Sequence, residues 1–235
     1  MRDTTLAPAP APAIQRPGVP ELLAGAVAFA IGLAATVWLF STFELDGVAA
    51  GLVQYALSGS LGLLGFAAAW VVRIRRLDVL GVRRASGRWL AIGAVSGLGT
   101  FALGLLASLV LSLFMPAPEN IQADYQSAAA GGALALVATL LLGAVLTPLG
   151  EEAFFRGVVA NALGRFSAWV SVPVSAAIFA LVHGINAVLL TAFIVGIATA
   201  LLFRRTGSIW PGVLTHVVHN ALAIAFPLVL TALLG

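Results

Sequence analysis

No cysteine and no lysine occur anywhere in the 235 residues. The first absence excludes disulfides, cysteine-ligated zinc and thiol chemistry. The second makes arginine the source of all twelve basic side chains. Charge of either sign is scarce, at 9% of residues, where a soluble domain carries roughly 25%. That shortage excludes an ordinary soluble enzyme. The sequence pI near 10.6 does not point to nucleic acid as a partner, because the arginines sit in short loops between apolar runs, where they set membrane topology. Arginine without lysine in an alanine-rich chain also suggests a bacterial genome rich in G and C.

What remains is apolar. Hydrophobic residues make up 61% of the chain, and the mean hydropathy is +1.07. Several apolar runs reach the length of about 20 residues that a helix needs to cross a bilayer core. In lipid every backbone polar group needs an internal partner, which leaves helices or a closed barrel. The runs are continuous rather than alternating, so helices are expected. The fold class is therefore all-α, a polytopic transmembrane helix bundle with about 7–8 spans, and the lipid bilayer is its first partner.

The chain divides into three parts. Residues 1–19 are rich in Pro and Ala and read as a disordered or polyproline-like tail. The apolar run after it is too long for a signal-peptide core and lacks a basic run before it. Residues 20–127 hold three spans, near 22–40, 48–72 and 89–115. Residues 128–235 hold the rest: a long segment 128–163, spans at 168–182 and 187–203, and a last stretch 208–235. Pro211 and Pro227 are expected to break that stretch into one span plus a short helix, or two short spans. A helix over 128–163 would be roughly 54 Å long against a core of about 30 Å, so Pro148 is expected to kink or break it.

Loop charge gives one topology. Arg73, Arg75, Arg76, Arg83, Arg84 and Arg88 share a loop, and Arg165 and Arg204-Arg205 close later spans. Glu44, Asp46, Glu119 and Asp124 occupy the alternate loops. The positive-inside rule puts the arginines and the N-terminus in the cytoplasm. The location expected is a bacterial plasma membrane, crossed several times.

Against this background Glu151, Glu152 and Arg156 stand out, because ionisable residues at membrane depth are costly and mark functional sites by default. Glu152 and Arg156 are four residues apart and face each other on a helix. Glu151 points about 100° away and is left free for general acid–base work. A structural ion-pair network is the competing explanation, but Arg156 can satisfy one carboxylate and hardly two. Phe179 and His183 share the same four-residue spacing, as do His216 and Asn220. Counted from the arginine-marked ends, Glu151 lies fourteen residues before Arg165, His183 fifteen after Ala168 and His216 eleven after Arg205. Those counts are roughly 17–22 Å of helix, a depth all three can share. A Glu beside a His can activate water, and a His with an Asn amide can stabilise an oxyanion. Glu151, His183 and His216 could instead bind one zinc ion with an open position for water. His219, three residues from His216, is read as structural, and Asn161 and Asn186 as cap or loop residues.

Glu151-Glu152-x-x-x-Arg156, Phe179-x-x-x-His183 and His216-x-x-x-Asn220, with Gly207-Ser208-Ile209-Trp210-Pro211 before the last, resemble the motifs of the type II CAAX prenyl endopeptidase and bacterial Abi (CPBP) family of intramembrane proteases. The resemblance covers about residues 130–225, and 128–235 would be its catalytic core. It implies that Glu151 activates water with help from His183, that His216 and Asn220 form the oxyanion site, and that Glu152 and Arg156 are a structural pair. The family has long been labelled metalloprotease. The reading adopted requires no cofactor, because Asn220 beside His216 suits an oxyanion site, with a divalent metal such as zinc as the alternative. The expected activity is hydrolysis of a membrane-protein or lipidated-peptide substrate, without a prenylated CAAX substrate being inferred. The other functions weighed are a non-catalytic scaffold or bacteriocin-immunity protein and a proton-coupled transporter. The latter would need internal repeats, and none is convincing. The sequence assigns no oligomeric state.

Overall fold

The computed structural model describes residues 16–114 and 120–234. Most of the Pro/Ala-rich tail, and the prolines of the 115–119 segment, lie outside the described residues. Among those described, the secondary structure is helical: α1 (Val19–Thr42), α2 (Gly47–Val72), α3 (Gly87–Ser112), the short α4 (Ala123–Ala130), α5 (Ala133–Leu163), α6 (Ala168–Leu181), α7 (Leu189–Thr206) and α8 (Trp210–Leu234). Six of these (α1, α2, α3, α5, α7 and α8) are long and apolar enough to cross a membrane, and α6 is a shorter apolar helix. The chain is a multi-pass helical membrane protein.

The long segment is cut where the sequence reading did not place the cut. The break falls at Gly131-Gly132, where Gly132 takes a φ of +97° that only glycine adopts readily. Pro148 lies inside continuous helix instead. The turns at Leu140–Leu146 and Phe155–Ala160 are wound as π-helix, and the Thr147 N–H bonds the Leu142 carbonyl, five residues back. The wider turn just before Pro148 absorbs the lost donor and the ring, so the helix continues. Pro227 likewise does not divide the last stretch. α8 runs unbroken through it, as membrane helices can when local adjustment and neighbouring helices take up the freed backbone groups.

Packing depends on small residues. α2 lies against α5 so closely that a Cβ on Gly150 would collide with the Gly59 carbonyl oxygen, and one on Gly62 with the backbone of Gly150. α3 meets α8 in the same manner: a Cβ on Gly97 would stand 2.6 Å from the Thr215 carbonyl oxygen, and the Thr215 hydroxyl donates to the Gly93 carbonyl at 2.9 Å. Between apolar helices in lipid, close backbone approach and interhelical hydrogen bonds carry association. At one end of the bundle the arginine-rich loop is tied to the later helices. Asn161 donates to the Val79 carbonyl at 2.7 Å, Ser208 to the Arg83 carbonyl at 2.6 Å, and the Ile209 N–H to the Gly81 carbonyl at 3.0 Å.

Candidate active site

Glu151 and Glu152 sit in the tight α-helical stretch of α5 between its two π-helical segments. Both carboxylates are buried, and so is Arg156. The Arg156 Nε donates to Glu152 Oε2 at 3.0 Å, and its Nη2 reaches Oε1 at 3.4 Å. The guanidinium carbon also lies 4.8 Å from the centre of the Phe179 ring, where the face of an aromatic attracts a cation. A buried charge of this kind persists only when paired.

Glu151 turns to the other side. Its Oε1 accepts a hydrogen bond from the Ser58 hydroxyl at 2.9 Å. Its Oε2 is buried and has no hydrogen-bond partner. The His183 Nε2 stands 3.9 Å from Oε1 and the His216 Nε2 3.7 Å from Oε2. Both separations exceed hydrogen-bond length and suit a bridging water.

The far side of each imidazole fixes its tautomer. The His183 Nδ1 lies 2.8 Å from the Phe179 carbonyl oxygen, which can only accept, so Nδ1 carries the proton. The His216 Nδ1 lies 3.3 Å from Glu152 Oε1, an oxygen of the carboxylate that Arg156 holds, so it too is the donor. In its neutral form each ring then presents an Nε2 lone pair toward Glu151. His183 stands in the turn just after α6. Asn186 holds that turn, donating to the His183 carbonyl at 2.6 Å and accepting from the Val188 N–H at 2.8 Å. Phe179 is the common wall, with its ring centre 4.8 Å from that of His183 and 5.8 Å from that of His216.

Asn220 lies on α8 one turn beyond His216, and its amide donates to the Gly143 carbonyl at 2.9 Å, within the first π-helical segment. His219 faces elsewhere, with its Nδ1 3.2 Å from the Thr100 hydroxyl. The structure thus brings Glu151, Glu152, Arg156, Phe179, His183 and His216 into one cluster and anchors Asn220 to the backbone beside it. It adds Ser58, which sequence reasoning missed. A lone serine in an apolar helix carries no motif, and the sequence of α2 marks it as a span and nothing more.

Among the described residues no group of three or more His, Asp or Glu is placed to hold a metal ion. The two imidazoles approach different oxygens of Glu151, and Ser58 already occupies one of them.

A multi-pass bundle with two carboxylates and two imidazoles meeting inside it defines the class of protein. Within it, residues 133–222 match a family model described as type II CAAX prenyl endopeptidase Rce1-like. The match covers under half of the chain and spans Glu151 to Asn220, so the three motifs and the family model point to the same family. No curated protein and no solved structure matches the chain.

Proposed function

We propose that the protein is an intramembrane endopeptidase that hydrolyses a peptide bond of a membrane-associated protein or peptide, with Glu151 as general base. The observation that carries this reading is the buried, unpartnered Glu151 Oε2, flanked by imidazoles whose Nε2 atoms both face the carboxylate. The Rce1-like match over the same residues supports it.

In this reading a water sits between Glu151 and His183, accepted by the carboxylate and by the His183 Nε2. Glu151 takes one proton as the water oxygen attacks the scissile carbonyl. That proton passes through a second water, which bridges the 3.7 Å gap, to the His216 Nε2, and the resulting cation is held on its Nδ1 side by Glu152. The new N–H faces the developing oxyanion. Asn220 has one N–H on the Gly143 carbonyl, and its second is available to the same oxygen. On collapse the C–N bond breaks and the leaving amine takes the proton. Arg156 holds Glu152 in place beside His216, and Ser58 holds the Glu151 carboxylate at Oε1. No step requires a metal.

The test is cleavage by the purified full chain in liposomes, against a library of lipidated and unlipidated membrane peptides. Cleavage that survives a strong chelator and is lost in His183→Ala is expected. Cleavage abolished by the chelator and restored by zinc would overturn the metal-free part. No cleavage of any peptide, together with undiminished function of Glu151→Gln in cells, would favour the scaffold or immunity role.

A further inference from the structure

We propose a second site, for the phosphate headgroup of an anionic phospholipid, at the arginine-rich end of the bundle. A cavity of about 380 Å³ opens there, and no side chain of the Glu151 cluster lines it. Arg16, Arg83 and Arg204 stand around it, with Ser171 and Asn161 in its wall. The three arginines come from three distant parts of the chain: the approach to α1, the loop after α2 and the end of α7.

None of the three guanidiniums is paired with a carboxylate among the described residues. Arg204 donates to the Ser171 hydroxyl at 3.0 Å and the Phe166 carbonyl at 3.3 Å. Arg83 donates to the Thr206 carbonyl at 2.7 Å. These neutral acceptors hold the side chains in place without cancelling their charge, and most of the five N–H donors on each remain free. The one acidic residue in the wall, Asp78, is bound by Arg76 at 2.6 Å, and that hydrogen bond holds its carboxyl below the usual range. The pair is neutral together, so the cavity keeps the charge of three arginines. A phosphate is the anion that suits several convergent guanidiniums.

A lipid, rather than a soluble anion, is indicated by what borders the cavity. Ser171 lies on α6, whose neighbouring face carries Val170, Val174, Ile178 and Leu181, all exposed apolar side chains at helical spacing. Trp169, at the start of the same helix, is 91% exposed, the placement of an interfacial anchor. A headgroup in the cavity would lay its acyl chains along this stripe.

The experiment uses the full chain in a neutral detergent, titrated with short-chain phosphatidylglycerol, with phosphatidylcholine or with soluble glycerol phosphate. Binding is read by the shift in thermal unfolding. Phosphatidylglycerol should stabilise the protein and phosphatidylcholine should not. Arg16→Gln/Arg204→Gln should weaken that binding roughly thirtyfold, from the usual contribution of each arginine at an anionic surface, and Arg16→Lys/Arg204→Lys should recover most of it. Arg205→Gln removes a neighbouring charge outside the cavity and should weaken binding clearly less than Arg16→Gln, because an exposed charge acts only through screened solvent. If the double Gln variant fails to fold, Arg16→Gln alone should still weaken binding roughly fivefold. Equal loss in Arg205→Gln would overturn the site in favour of diffuse surface charge. Equal binding of phosphatidylcholine would overturn headgroup recognition. Glycerol phosphate acting as well as the lipid would overturn the lipid as ligand.

Discussion

The Ser58 hydroxyl donates to Glu151 Oε1 at 2.9 Å, across 93 positions of sequence. This contact joins the N-terminal helices to the motif-bearing half of the chain. A hydrogen bond to a charged acceptor contributes about 1.5–3 kcal/mol. Ser58→Ala should therefore lower kcat/KM by roughly tenfold or more, and the lost bond should lower the melting temperature as well. Initial rates and thermal unfolding on the same preparation check this. A normal rate in Ser58→Ala would show that Glu151 needs no help from α2.

Gly150 and Gly59 make that contact possible. A side chain on Gly150 would collide with the Gly59 carbonyl, and overpacking typically costs about 1–3 kcal/mol. Gly150→Ala should lower the melting temperature and cleavage together. Gly99→Ala in α3, where an added Cβ meets nothing within 4 Å, should be neutral or slightly stabilising. Thermal unfolding of the two variants separates close packing from helix propensity.

Two histidines three residues apart should behave differently. His216 faces Glu151, while His219 contacts Thr100. His216→Ala should reduce cleavage by roughly a hundredfold or more. His219→Gln should reduce it far less, because His219 contacts Thr100 and not Glu151. Equal losses would mean that His219 also belongs to the reacting cluster.

Much of this arrangement was legible in the sequence, and the reasons are local. Four-residue spacing on a helix puts Glu152 against Arg156 and Phe179 beside His183 without any tertiary knowledge. Span positions followed from apolar runs bounded by arginine. What was not legible depended on other parts of the chain. Ser58 has no local signal, because its partner lies on another helix. Pro148 reads as a kink or break, and Pro227 as a break, by the rules for helices in water, yet helix continues through both, with a π-helical turn just before Pro148. The break at Gly131-Gly132 was hidden in a continuous small-residue run, where only the backbone angle of Gly132 marks the turn. The link from His216 to Glu152 was also invisible, since spacing had paired His216 with Asn220 alone.

The most direct measurement compares Glu151→Gln with Glu152→Gln for both cleavage and thermal unfolding in liposomes. Glu151 is proposed to act on water, so its Gln variant should lose cleavage by at least about a hundredfold while melting near wild type. Glu152 neutralises Arg156, so its Gln variant should unfold more readily, by about 3–5 kcal/mol for an uncompensated buried charge. A Glu151→Gln protein that still cleaves at the wild-type rate would contradict the account.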